Sequence, residues 1–277
     1  MIPIDKSNRK SLHKLYQDYK WNYLPDAILE GTIGEALVND EGDPQVAVLQ
    51  IPKLKISIPG GDASHPAARK FIKGLPRFSA LICASQEWEE LLQEVHAGKL
   101  VAMQRYAFTG EKLDIDHLRG LASQIPDGYR LERIDLSLAK QLAAEKSEFA
   151  SAHMRNFDSP EDFVARGFGF CIVTGDEVVG AATTFAVCSK GIEIEVGTRE
   201  KQRGKGLATV VSAQLLVHSL QNGLDPHWDA ENERSVGLAI KLGYTPQGTY
   251  RLWLYGGLKL VTGSVKALLK IQRFVTR

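Results

Sequence analysis

The amino-acid sequence predicts an α/β protein organised as two domains. Three observations point there. The chain has 277 residues, more than the ~100 to 200 of one typical domain. Strand-like and helix-like segments alternate through its second half, and a glycine-containing basic turn, RGKG at Arg203–Gly206, stands between a strand and a helix. With 44% apolar and 24% charged residues and a net charge of +1, the composition is that of a globular chain, and nothing global calls for nucleic acid. Cys83, Cys171 and Cys188 are too few and too scattered for a disulfide framework or a CxxC metal site. The N-terminal MIPIDKSNRK lacks an apolar signal core, and no segment approaches the ~18 uninterrupted apolar residues of a membrane span. A reducing cytoplasm is the expected compartment.

In the first half, Ser11–Asn22 reads as helical, and the β-branched and leucine-rich stretch 45–58 reads as one or two strands. Pro59-Gly60-Gly61-Asp62 is expected to break the chain, with a short helix starting over 67–73. A buried strand over 78–84, a helix over 88–95 and a strand over 100–108 follow. The turn cluster Ile125-Pro126-Asp127-Gly128 separates two periodic regions, which puts the domain boundary between 126 and 127: an accessory α/β domain over 1–126 and a second domain over 127–277.

The second half is more sharply punctuated. Residues 138–149 are expected to be helical, and Ser159-Pro160-Glu161-Asp162 signals a helix start, with an N-cap serine, proline in the first turn and acids near the positive end of the dipole. Segments 170–174 and 178–187 flank a Gly175-Asp176 turn as a hairpin, and Ser189-Lys190-Gly191 leads into the strand IEIEVGT. Residues 207–220 are apolar nearly all round, as in a helix covered on most sides. PHWDA then forms a short strand, Asn232 caps a helix ending at Leu242, Gly243 supplies the left-handed C-cap, and 244–254 close with one or two strands.

A strand that runs through a basic glycine turn into a helix aims unpaired backbone N–H groups at one point, on the positive end of the helix dipole. Gly204 and Gly206 let the backbone approach an anion closely. Lys201, Arg203 and Lys205 add charge, and Thr209 offers a hydroxyl. The spacing does not fit a nucleoside-triphosphate loop, which needs four residues between its glycines. Nor does it fit a dinucleotide fingerprint, because Thr209 stands at the third glycine and an antiparallel meander precedes the loop.

The run KQRGKGLAT resembles the pyrophosphate-binding loop of the GCN5-related N-acetyltransferases, [Q/R]-x-x-G-x-[G/A]; counted from Lys201, the first position departs from that pattern. Downstream, Asn232, Ser235, Lys241, Leu242, Gly243 and Tyr244 match the family's second signature. The segment from Phe163 to Tyr244 resembles more narrowly the zwittermicin A resistance branch, whose long N-terminal region RYAF and IPDGYRL also resemble. The resemblance implies the GNAT fold in the second half, a mixed, mostly antiparallel sheet flanked by helices, with a degenerate copy of it as one reading of the first.

It also implies acetyl-CoA as co-substrate and transfer of the acetyl group to a primary amine of a small molecule, an antibiotic or metabolite. Val196 and Thr198 would pair with the pantetheine arm as an added strand. Lys201, Gln202, Arg203, Gly204, Lys205, Gly206, Leu207, Ala208 and Thr209 would hold the pyrophosphate, and Asn232 and Ser235 would contact the cofactor. A glutamate on the strand before the loop often serves as base in the family. Glu193 and Glu195 lie two apart and share a face unless a bulge intervenes, with Glu193 slightly preferred. The amide of Val196 is the candidate oxyanion donor. The family's usual acid, a tyrosine four positions before the glycine of K-L-G-[F/Y], is replaced by Ala239, leaving Tyr244, Tyr250, a water or unaided thiolate departure.

Other readings stay in view. A non-catalytic acyl-CoA sensor would keep the loop and tolerate Ala239; a nucleic-acid binder would use the loop and the basic tail 259–277, against the near-zero net charge. His227, Asp229 and Glu231 alternate along one short strand, a poor geometry for a metal, and none is expected. No oligomeric state follows, a homodimer being one arrangement.

Overall fold

The computed structural model describes residues Met1–Gly256; the basic tail 259–277 lies outside them. The described residues divide into two compact units, one formed by residues 1–21, 25–105 and 249–256, the other by residues 22–24 and 106–248. The turn at 125–128, expected as the boundary, lies inside the second unit.

The first unit contains β1 (Ile2–Pro3), a 3₁₀ helix over Lys6–Leu15, α1 (Leu24–Leu29, from its second residue), β2 (Glu35–Val38), β3 (Val46–Ile51), β4 (Ile56–Gly61), α2 (Pro66–Lys73), β5 (Ala80–Leu81) and α3 (Gln86–Val95). Strands β1 to β4 pair antiparallel in sequence order. Strand β5 then joins β4 in parallel. Its other neighbour is the end of the last strand, β12 (Thr245–Tyr255), through Trp253↔Leu81 and Leu254↔Ala80. The core gathers Val46, Ala68, Ile72, Leu81, Trp88 and Leu92.

Two expectations change here. The Pro59-Gly60-Gly61 segment does not break the chain but finishes β4, because β3 continues to pair with it through Val48↔Pro59 and Val46↔Gly61. The helix expected over 11–22 is a 3₁₀ helix that starts earlier and ends at Leu15, spanning Lys6–Leu15.

The second unit repeats that order. It receives the end of β6 (Leu100–Thr109), then α4 (Ile115–Ala122), β7 (Arg130–Arg133), α5 (Leu136–Ala144), α6 (Glu148–Met154), α7 (Pro160–Arg166), β8 (Gly169–Thr174), β9 (Glu177–Val187), β10 (Gly191–Thr198), α8 (Leu207–Gln221), β11 (Asp225–Ala230) and α9 (Glu233–Leu242). Strands β7 to β10 are again antiparallel in sequence order, β11 joins β10 in parallel, and β6 pairs antiparallel with β11 through Trp228↔Phe108. Four antiparallel strands, a helix, a parallel strand and a second helix therefore occur twice. In each unit the strand beyond the parallel one comes from the other half of the sequence.

Local chemistry fixes these elements. Ser159 caps α7 by accepting from Asp162 N–H at 3.1 Å, and Asn232 caps α9 by accepting from Ser235 N–H at 3.1 Å. Gly243 ends α9 at φ 101°. The single helix expected over 138–149 is two, α5 and α6, since Ser147 begins a new helix by capping Ala150 N–H at 3.1 Å. Helix α8 is buried nearly all round, as its sequence requires. Ala213, Leu216 and Val217 pack with Phe108, Leu118, Trp228 and Tyr244, while Leu207, Val210, Val211 and Leu215 pack with Ile192, Phe170 and Ile172. This fixes the start of α8 directly beyond the end of β10.

Candidate active site

The two strands that lead to the basic turn separate before they reach it. Strand β11 pairs with β10 only at Gly191↔Asp225, Ile192↔Pro226 and Glu193↔His227, although β10 continues to Thr198. Strand β9 stays paired with β10 throughout. Arg199 N–H donates to Val179 of β9 at 2.9 Å, and Lys190 C=O accepts from Asp225 N–H at 3.1 Å. Backbone groups alternate in direction along a strand. The odd-numbered residues therefore bond β9, while Ile194, Val196 and Thr198 turn their N–H and C=O toward the side that β11 has left. An extended chain inserted in this wedge would meet a ready ladder.

At the wide end of the wedge lies the turn. Gly204 and Gly206 have φ of 80° and 79°, and a Cβ on either would meet no atom within 4 Å. Gly206 is the N-cap of α8, with no side chain capping the helix, so its first amides stay available to an anion. Lys201 and Arg203 are exposed, whereas Lys205 Nζ is held at 2.7 Å from both Tyr129 Oη and Gln202 Oε1. Arg199 does not belong to the anion site: it pairs with Glu145 at 2.5 Å and 2.8 Å and bonds Val178 C=O at 2.6 Å. Leu207 and Thr209 are buried in the packed side of α8, and Ala208 is half-buried.

Along β10 the side chains of Ile192, Ile194 and Val196 pack on the α8 face. Glu193 and Glu195 point to the other face. The bulge falls on β9, where Phe185 is skipped between Ala186↔Glu193 and Thr184↔Ile194, so the alternation of β10 survives. The two glutamates differ in setting. Glu195 is half-buried and paired at 3.2 Å with Arg155, the residue that ends α6. Glu193 is 6% exposed; it accepts from Tyr23 N–H at 2.5 Å and lies 3.1 and 3.3 Å from His227 Nδ1. Tyr23 Oη donates to Asp225 at 2.6 Å, and burial pushes this phenol up first, with the carboxylate adding to it.

Tyr244 stands apart from this face. It is 4% exposed, in the cluster with Trp228 and Leu216, and its hydroxyl donates to Pro226 C=O at 2.5 Å. Burial raises its pKa well above the ordinary value. Ala239 is buried in the same cluster. Ser235 Oγ accepts from Trp228 Nε1 at 3.2 Å, so Asn232 and Ser235 are both engaged at the start of α9. Among the described residues no group of three or more His, Cys, Asp or Glu is placed to hold a metal ion, and no helix is long and apolar enough to cross a membrane.

The sequence signature of the GNAT acetyltransferase family matches residues 13–253, nearly the whole described chain. The chain belongs to the GNAT acetyltransferase family. It is 26% identical over 264 residues to YdfB of Bacillus subtilis strain 168, named as an uncharacterized N-acetyltransferase, covering 91% of this chain and 98% of that one. A GCN5-related N-acetyltransferase-like protein from Streptococcus suis 89/1591 superposes with a TM-score of 0.76 at 30% identity, over 90% of this chain and 98% of that one. A tandem GNAT protein from the clavulanic acid biosynthesis pathway shares the fold, with a TM-score of 0.60 at 13% identity, over 93% and 98% of the two chains. That likeness accords with the repeated strand order seen here. These relatives carry the family; they do not single out the zwittermicin branch.

Counted from Lys201, the loop pattern places its two glycine positions on Gly204 and Gly206, and Gly206 is the N-cap of α8; the departure at Lys201 stands. Tyr23 escaped sequence reasoning entirely, since it lies 170 positions from Glu193 and nothing local marks it. The sequence spacing marks His227 only as a metal-ligand candidate. A signal for its contact with Glu193 existed: in a parallel pair the outward positions of IEIE and PHWDA face the same way.

Proposed function

We propose that the protein transfers the acetyl group of acetyl-CoA to a primary amine of a small molecule. The wedge between β10 and β11, opening onto an uncapped helix start, is the observation that carries this reading: backbone groups of Val196 and Thr198 stand free of β11 along it, and the Arg203–Gly206 turn ends it. The pantetheine arm would lie along β10 and the pyrophosphate against the amides of α8, with Lys201, Arg203 and Lys205 contributing charge. The α8 end is open and charged for this purpose, and the side chains of Asn232 and Ser235 border the splayed strand.

Glu195 is the base in this proposal. A primary ammonium is protonated at neutral pH and must lose a proton before it attacks a thioester. Glu195 lies on the sheet face away from α8, one residue before Val196 and beyond the last rung, and it is accessible where Glu193 is buried. Val196 N–H, directed into the wedge, is the donor for the developing oxyanion.

The direct test is calorimetric titration with acetyl-CoA, followed by thiol release across a panel of primary amines. Binding with turnover is the expected result. Binding without turnover for any amine would leave a sensor, and salt-dependent RNA binding with no response to acetyl-CoA would replace the reading altogether.

A further inference from the structure

We propose that His227 is the proton donor to the departing thiolate, with Glu193 as its positioning residue; the inference rests on the acetyl transfer proposed above. The need for a donor is structural. Ala239 has no proton to give, and the Tyr244 hydroxyl is committed to Pro226 on the α8 face.

The Glu193↔His227 rung is the last that joins β10 to β11. A molecule whose anionic end sits at Arg203–Gly206 and whose arm follows β10 back through Thr198 and Val196 has its far end at that rung. His227 is 7% exposed there. Its Nδ1 faces Glu193 at 3.1 and 3.3 Å, and its Nε2 is buried with no hydrogen-bond partner. Buried polar atoms are rarely left so, and an orphan at the closed end of a binding wedge points to a group on the ligand.

The charge state follows from the neighbours. Burial disfavours the imidazolium, but the Glu193 carboxylate, by its charge and its hydrogen bond, outweighs it, and Asp229 and Asp225 add to the effect, so the pKa rises above its ordinary value of 6.5. Tyr23 N–H fixes Glu193 from the other side. Glu195 faces the same way on β10 with Arg155 as its partner. Glu193 thus favours the imidazolium form, in which Nδ1–H is held toward Glu193 and the unpartnered Nε2 carries the proton to be donated.

In the step itself the amine nitrogen forms a bond to the acyl carbon, and the carbon–sulfur bond breaks with its electron pair on sulfur. His227 passes the Nε2 proton to that sulfur and is reprotonated from solvent. Glu195 takes up the protons that the ammonium nitrogen sheds. The nitrogen loses two protons, the sulfur gains one, and one is released.

The test uses the full-length protein and does not depend on knowing the acceptor. The His227 ring resonances are followed by nitrogen NMR against pH in the free protein, with CoA, and with desulfo-CoA. A pKa above 6.5 is expected in the free protein, falling in Glu193→Gln. Saturating CoA should move the Nε2 signal, and desulfo-CoA at equal occupancy should not. For any amine that turns over, His227→Gln should lower kcat about 100-fold, leave KM for acetyl-CoA within about 3-fold, and remove the alkaline limb of the pH profile. An Nε2 signal indifferent to the sulfur, or a free-protein pKa below 6.5, overturns the inference. Should His227→Gln fail to fold, the wild-type titrations decide alone. Absence of any CoA binding would instead overturn the acetyl transfer on which the inference rests.

Discussion

The loop after β4 and the loop after β10 occupy the same place in the repeated strand order, yet one is sealed and the other is open. In the first unit β5 and the segment after it keep bonding β4 almost to its end: Ile82 N–H donates to Ser57 C=O at 3.1 Å and Ala84 N–H to Pro59 C=O at 3.3 Å. The following turn is closed by its own side chains. Asp62 accepts from Ser64 N–H at 2.8 Å and from its hydroxyl at 2.6 Å, and His65 caps α2 through Ala67 N–H at 3.1 Å. Strand β4, ISIPGG, carries no carboxylate. In the second unit β11 leaves β10 five residues before its end, the helix start has no side-chain cap, and the strand carries two glutamates. The two loops thus differ less in fold than in the hydrogen bonds withheld at one point of it.

That contrast can be broken where its effect is greatest. Glu195→Gln should lower turnover by about 10² to 10⁴-fold with acetyl-CoA affinity retained, as measured by thiol release and calorimetry; unchanged turnover would remove Glu195 from the chemistry. Gly206→Asp puts a carboxylate beside the open amides of α8, at a backbone conformation that suits glycine. It should weaken acetyl-CoA binding about 100-fold, given the ~1.5 to 3 kcal/mol of each charge-assisted bond displaced.

A third difference is in what backs each strand. Behind Gly60 stands Tyr16, whose phenol donates to Ala47 and Ile58 carbonyls at 3.0 and 2.9 Å and which burial raises well above its ordinary pKa. Behind Gly197 stands His153, bonded to Thr183 at 2.9 Å; burial first, then Arg155, lowers its pKa from 6.5 to about 3. The folded second unit refuses a proton that the unfolded chain accepts near pH 6.5. The stability due to a neutral His153 is therefore complete above about 6.5 and lost as pH falls toward about 3. Urea midpoints should show about 2 kcal/mol of this loss by pH 5, and His153→Gln should flatten that part of the profile. The smallest effect belongs to the sealed loop. His65→Ala should cost about 1 kcal/mol of stability, with acetyl-CoA still binding once per chain; a second binding event would mean that the first unit keeps a site as well.

The sequence made the second unit easy to read because its punctuation is local. Ser159, Asn232 and Gly243 act within a few residues of themselves, and the all-round apolar character of 207–220 is a property of one helix. The wedge was not legible, since nothing in IEIEVGT says that pairing with PHWDA stops at Glu193. Nor was the setting of Glu193: its partners come from positions 23 and 227, and only the fold brings them together. Helix α4 is hard to read in the sequence because its eight residues carry no strong cap signal beyond Asp114, which accepts from Asp116 N–H at 2.8 Å. Pro59-Gly60-Gly61 has the local propensity of a break, which pairing with β3 overrides.

The course of β6 and β12 bears on how such a chain can be divided. Cut at the turn near Pro126, the two fragments would not be two proteins. The downstream piece would lack residues 106–108 along β11 and Tyr23 over Glu193, and the upstream piece would lack Trp253 and Leu254 along β5. Each would present a raw sheet edge that only the other fragment fits. Each stretch of the chain therefore completes a sheet begun by the other, and neither can be removed without stripping a strand from its neighbour.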